Sequence, residues 1–240
     1  MQIQTSFIQE TDSTNHLLRD HMRAGAAEGL VIYTDFQTSG KGQTGNSWES
    51  APGENLLFSL LLRPVELPAV SQFLISMLVS AAVVEYLKQF SSEITIKWPN
   101  DIYFQNKKLG GILIENTWQG AVVSTSIVGI GLNINQKDFK SNAPNPVSLL
   151  QITGIKHDRQ VLLNGLLQQI NKLYSSLDEN KIVLRYHELL FRKEGYYTYR
   201  TDEEEFDARI DRVEKDGRLI LVTRDGSVKE FYFKEVVFVI

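Results

Sequence analysis

Apolar residues change their spacing several times along this chain, and each change marks an element. Residues 3–9 read as a short strand. Leu17, Leu18 and Met22 then recur at helical spacing behind the polar quartet Asp12-Ser13-Thr14-Asn15 and stop at Gly25, which predicts a capped helix. Taken alone, the quartet needs no role beyond capping. Leu30–Gln37 and residues 56–63 are apolar strands, the first delivering Gln37 to a glycine-rich stretch. Residues 69–90 predict a long helix that is apolar on most of its surface and so packed deep. A strand at 94–98 stops at Pro99. Residues 102–105 and 109–116 predict a hairpin around Asn106-Lys107, and 121–134 another strand, β-branched and carrying Gly129 and Gly131. Glycines inside such a strand suggest the close approach of a ligand or another backbone.

A polar stretch with two prolines, 135–146, reads as a loop. Leu162, Leu163, Leu166, Leu167, Ile170 and Leu173 then fall at helical spacing, giving helices at 158–177 and 180–192. From Gly195 onward the runs are short and strand-like (196–200, 206–213, 219–223, 228–233, 236–240), with hairpin signals at Asp216-Gly217 and Asp225-Gly226. The expected division is therefore residues 1–194 as one large domain and 195–240 as a small β module. The overall class is α+β, a mixed or antiparallel sheet packed with helices.

Composition narrows the possibilities. The 240 residues are 42% hydrophobic and 22% charged, with a formal charge of −4, so nothing suggests a nucleic-acid surface. Cysteine is absent, which excludes disulfides and thiolate metal sites. The first residues lack the basic and apolar regions of a secretory signal. The longest apolar region is interrupted by Ser76, Ser80 and Glu85 and is too short to span a bilayer. A cytoplasmic protein is expected. His16, His21, His157 and His187 lack metal-ligand spacing and read as surface or capping residues.

The candidate chemistry centres on Gly40-Lys41-Gly42-Gln43-Thr44-Gly45-Asn46-Ser47-Trp48. Three glycines allow a tight turn whose N–H groups approach an anion, and Lys41 adds a cation; a plain surface turn is the alternative. The spelling also satisfies G-x-G-x-x-G, but a dinucleotide fingerprint needs a helix directly after it. Here Trp48, Pro52 and Gly53 intervene before an apolar strand, so the loop joins two strands. Three other polar stretches fall at strand ends or turns: Asp12–Asn15, Lys97–Asp101 with Lys108, and Gly129–Asn133. Lys108 stands before Leu109-Gly110-Gly111 on an otherwise apolar strand, which favours a role beyond hairpin charge.

Taken together these residues resemble the biotin protein ligases. The matching positions are Asp12-Ser13-Thr14-Asn15, Gln37, Gly40-x-Gly42-x-x-Gly45-x-x-Trp48, Lys97-Trp98-Pro99-Asn100-Asp101, Lys108-Leu109-x-Gly111-Ile112-Leu113-x-Glu115 and Gly129-x-Gly131-x-Asn133. The resemblance implies a class II synthetase-like catalytic domain with a C-terminal SH3-like β-barrel. It implies a ligase that joins biotin to ATP as biotinyl-5′-AMP, releasing pyrophosphate, then transfers biotin to a lysine of a biotin carboxyl carrier protein of acetyl-CoA carboxylase or a related enzyme. ATP and biotin are its substrates, and Mg²⁺ is expected on the nucleotide phosphates. Position by position, Ser13, Thr14, Asn15 and Gln37 match the biotin head-group contacts. Gly40, Lys41, Gly42 and Gln43 match the closing loop, and Gly110 and Gly111 its facing strand. Lys108 matches the lysine facing carboxylate and phosphate, with Lys41 as the second catalytic cation. Trp48, Asn100, Asp101 and Asn133 match the nucleotide side, Asp101 either orienting the loop or helping hold Mg²⁺.

Two departures stand out. The family loop is often arginine-rich, whereas Gln43, Thr44, Asn46 and Ser47 leave Lys41 as its only cation. The motifs begin at Asp12, which leaves no room for the helix-turn-helix domain of repressor members, so DNA binding is not expected. A homodimer formed edge to edge stays open, with 121–134 either the edge strand or an internal one. The alternatives to a biotin ligase are a lipoate or octanoate ligase or transferase, whose acyl chain would call for an apolar slot, and a biotin sensor without catalysis, which need not keep Lys108.

Overall fold

The computed structural model describes residues 1–43, 45–140 and 145–240; Thr44 of the glycine loop and residues 141–144 of the expected 135–146 loop lie outside the described residues. The chain runs β1 (Gln4–Thr11), α1 (Thr14–Arg23), β2 (Leu30–Gln37), β3 (Leu56–Leu62), α2 (Phe73–Leu87), β4 (Ile94–Lys97), β5 (Asp101–Phe104), β6 (Lys107–Gln119) and β7 (Val122–Leu132). It continues with α3 (Leu149–Thr153), α4 (Arg159–Ser176), α5 (Glu179–Glu188), β8 (Tyr197–Arg200), β9 (Glu205–Val213), β10 (Leu219–Thr223), β11 (Val228–Phe231) and β12 (Val237–Phe238). Seven strands form one mixed sheet in the order β1-β2-β3-β7-β6-β5-β4, with β1 and β2 parallel and the other neighbours antiparallel.

Strand β3 shows why the sheet has two different faces. Phe58, Leu60 and Leu62 point into the main core beneath α2, while Leu61 joins Leu18, Ile32 and Ile127 in a smaller cluster under α1. Ser59 shares the α1 side and is wholly buried, so this face carries a polar group beside the helix N-terminus. Helix α2 is apolar all round because the sheet lies on one side and α4 and α5 on the other. Each leucine buried there contributes ~1.5–3 kcal/mol. Gly165 on α4 is required for that crossing, since a Cβ there would overlap the Tyr86 ring.

One expectation needs correction, and two further features are decided only by the structure. Helix α2 starts at Phe73, after a 3₁₀ turn at Ala69–Ser71, because Pro68 extends the chain just before it. Strand β7 lies between β3 and β6, so it is internal rather than an edge. The short helix α3 was not anticipated; Ser148 and Gln151 close a capping box and Gly154, at φ 76°, ends it.

The last five strands form a second, antiparallel sheet ordered β11-β10-β9-β8-β12. It docks through the same hydrophobic core: Ile210, Leu219, Val236 and Phe238 join one cluster with residues of α2 and α5. Trp98 Nε1 donates to Gly217 O at 2.9 Å, Arg192 to Val239 O at 2.9 Å, and Val213 N to His187 Nε2 at 2.8 Å. The tryptophan of the Lys-Trp-Pro-Asn-Asp string is thus a bolt between the two sheets.

Candidate functional site

On the α1 face of the large sheet, stretches far apart in sequence converge on one cleft of ≈ 190 Å³. Ser13, Thr14, Asn15, Gln37, Lys41, Gly42, Gln43, Trp48, Asn100, Asp101, Lys108 and Gly111 all line it. Volumes of ~300–1,000 Å³ are usual for ligand pockets; this one is smaller, with Trp48 and the loop forming part of its wall. Lys41 and Lys108, which sequence spacing leaves unrelated, face the same space.

At one end stand the polar groups of α1. Ser13 occupies the N-cap position, yet its side chain makes no capping bond, nor does any member of the quartet cap α1. Asp12 instead accepts from Ser13 N at 2.7 Å and meets His16 Nδ1 at 2.5 Å, and the His16 bond, above all, holds its carboxyl below the ordinary range. Ser13 Oγ, without a protein partner among the described residues, is left to the cleft. Thr14 donates to Gln37 Oε1 from both N (2.8 Å) and Oγ1 (3.1 Å), which turns the Gln37 NH₂ away from it.

The glycine loop is a small hairpin bridged at Lys41 and Ser47. Gly42 N donates to Asn46 O at 2.9 Å, Asn46 N to Gln43 O at 2.8 Å and Trp48 N to Gly40 O at 2.9 Å. These three N–H groups are spent inside the loop, which leaves the approach to an anion to its other N–H groups. Gly45, at φ 91°, supplies the left-handed turn. Trp48 lays its indole against β6 and β7. A Cβ on Gly131 would lie 2.6 Å from the Trp48 ring, and one on Gly111 would lie 3.3 Å from it. Its buried Nε1 has no hydrogen-bond partner among the described residues and lies over Gly131, where a Cβ would come within 2.9 Å of it.

At the opposite end, Lys108 Nζ pairs with Asp101 Oδ1 at 2.7 Å and stands 5.8 Å from the Trp48 ring centroid. Strands β5 and β6 enforce this pairing by placing Tyr103 opposite Lys108 across a register shift. Asn100 locks the turn before β5, donating from Nδ2 to Ile112 O at 2.7 Å while Ile112 N donates to Asn100 O at 2.9 Å.

Three predicted contacts fall outside the cleft lining. Gly110 faces the other way, where a Cβ would strike Leu132 and lie 2.7 Å from Gly131 O, so strand packing demands the glycine. Asn133 is buried, its Nδ2 donating to Val147 O at 3.2 Å and Lys108 O at 3.4 Å; it braces the Lys108 backbone from behind. Gly40 is buried at the base of the loop, where a Cβ would lie 2.8 Å from Trp48 O. Asn15 lines the cleft, but both ends of its amide are bonded to protein.

Among the lining residues to which the sequence reading gave no role, two matter for the electrostatics and the shape of the cleft. Lys97 sits 4.8 Å from the Phe238 ring centroid and 5.3 Å from that of Tyr103, without an ion pair among the described residues. Burial pushes its pKa down, Asp101 opposes that, and Lys108 and Arg192 add to it. Phe233 reaches the cleft from the C-terminal sheet. No local pattern could have placed it there, since it lies more than a hundred residues away in sequence. No group of three or more His, Asp or Glu suited to a metal occurs among the described residues.

Residues 7–133 match the biotin/lipoate A/B protein ligase family, and the chain belongs to it. The bifunctional ligase/repressor BirA of Bacillus spizizenii is 34% identical over 171 residues, 70% of this chain and 51% of that protein. The BirA of Escherichia coli is 30% identical over 203 residues, 84% of this chain and 58% of that one. The chain thus spans little more than half the length of these relatives. Among solved structures, the biotin protein ligase from Aquifex aeolicus in complex with biotin and ATP is similar with a TM-score of 0.78 at 25% identity, covering 97% of each chain.

Proposed function

We propose that the chain is an ATP-dependent biotin–protein ligase acting on a lysine of a biotin carboxyl carrier protein. The observation that carries this is the sharing of one cleft by Lys108, Lys41 and the polar set Ser13, Thr14 and Gln37. In the first step a carboxylate oxygen of biotin attacks the α-phosphorus of ATP, and the bond to pyrophosphate breaks. Negative oxygens crowd together as this happens, and cations fixed in place lower the barrier. Lys108 faces the reacting oxygens from β6, and Lys41 from the loop. In the second step the carrier amine attacks the mixed anhydride, AMP leaves, and an amide forms.

The head-group end suits a neutral ureido ring because it offers hydroxyl and amide groups within a largely buried frame. A lipoyl chain would leave those groups without partners, which is costly. Trp48 lines the cleft where its indole would cover an adenylate. Mg²⁺ would enter on the ATP phosphates: the cleft carboxylate of Asp101 is bonded to Lys108, and the described residues supply no resident metal cage. The test is incubation with ATP, a carrier domain and an equimolar mixture of biotin and lipoate, then mass spectrometry of the carrier. One added biotinyl group is expected. Lipoylation in its place, or no pyrophosphate release at all, would overturn the reading.

A further inference from the structure

One carboxylate near the cleft has no part in the chemistry above. Glu115, on β6, accepts from Asn15 Nδ2 through Oε2 at 2.8 Å and pairs through Oε1 with Arg19 Nη2. Asn15 and Arg19 stand four residues apart on α1 and so reach the same side. Gly129 makes room for this arrangement, because a Cβ there would overlap Asn15 Oδ1.

The donor and acceptor roles follow in order. An ionised carboxylate can only accept, so it turns the Asn15 NH₂ towards β6, where Leu113 O also accepts at 3.3 Å. The Asn15 oxygen then faces Ser59 Oγ at 2.6 Å. That oxygen cannot donate, which commits the single Ser59 proton to it. Ser59 Oγ also lies 2.7 Å from Thr14 Oγ1. With its proton spent, Ser59 gives Thr14 nothing. Thr14 sends its own proton to Ser59 or to Gln37 Oε1, and keeps its lone pairs for a ligand.

The geometry points to Glu115 as a positioning residue that sets the hydrogen-bond polarity of the head-group end. Acting through Asn15 and Ser59, it makes Thr14 an acceptor for a ureido N–H, while Gln37, held by Thr14 N, presents donors. This rests on the biotin reading above. Glu115 touches no substrate; its effect is carried by which way one buried amide turns.

A Glu115→Gln variant is nearly isosteric but reverses the relay. Its oxygen goes to Arg19, and its NH₂ meets the Asn15 NH₂. The Asn15 amide then turns over, Ser59 donates to Thr14, and one Thr14 lone pair is lost. Calorimetry with biotin should show Kd rising about tenfold, the worth of one hydrogen bond, with Kd for ATP unchanged. Adding Asn15→Asp restores a group at position 15 that accepts both from the new side-chain NH₂ at position 115 and from Ser59 Oγ. The double variant should return to within about threefold of the wild-type biotin Kd. Unchanged biotin binding in Glu115→Gln, a parallel loss of ATP binding, or a double variant no better than the single one would overturn the inference. Failure of the wild-type chain to bind biotin would instead overturn the ligase reading.

Discussion

Under the proposed reaction, replacing Lys108 by glutamine removes the cation that would face the reacting oxygens from β6 while keeping much of the length of its stem. An ammonium and a phosphate oxygen ~4 Å apart attract by ~4 kcal/mol at an effective dielectric constant of ~20. Not all of this is net, because Asp101 already sits 2.7 Å from the Lys108 Nζ and competes for its charge. The stabilisation that counts is the part that grows as the carboxylate and α-phosphate oxygens converge. Removal of one such fixed group costs ~10²–10³ in rate. Given the competition from Asp101, a loss of about 10² in adenylate formation is expected, or ~2.7 kcal/mol in barrier. Single-turnover release of pyrophosphate from saturating biotin and ATP measures this step alone. A fall of less than about fivefold would show that Lys108 does not stabilise the reacting oxygens, whatever its place in the cleft.

Other residues give independent tests. Lys97→Met should raise the melting temperature at pH 7, because the folded state holds an ammonium among aromatic rings without an ion pair among the described residues. Its folded pKa is lowered by burial, so the destabilisation is complete below that pKa and fades as pH rises towards the ordinary lysine value of about 10.4; a gain that did not shrink between pH 7 and 10 would refute this origin. Gly131→Ala would put a Cβ 2.6 Å from the Trp48 ring, and a rise of about tenfold in KM for ATP is expected, with little change in melting temperature. Trp98→Phe loses the bond to Gly217 O and leaves that carbonyl buried, which should cost about 1–3 kcal/mol in denaturant unfolding. Gln43→Arg adds a second cation to the loop and should slow release of the adenylate, measured as the half-life of the isolated complex.

Much of the chain was legible in sequence because burial of one face imposes a period on the residues that supply it. Strands β2, β3, β9 and β10 and helix α4 follow directly from such runs, as do the glycine loop's strand–loop–strand setting and the change of texture after Gly195. The family resemblance likewise brought Ser13, Gln37, Lys41 and Lys108 together as candidates before any geometry was known. What sequence could not decide was which strands are neighbours and which partner each polar group meets. Strand β7 reads the same whether internal or at an edge, and only the sheet order places it between β3 and β6. Gly110 and Gly111 are adjacent, yet the pleat sends one into strand packing and the other to the cleft. Asn15 and Asn133 have the side chains of ligand contacts, but the Asn15 amide is bonded at both ends to Glu115 and Ser59, and the Asn133 NH₂ goes to Lys108 and Val147. Periodicity is a local consequence of burial. The allocation of a proton or a counter-charge is settled only when distant strands come within about 3 Å of one another.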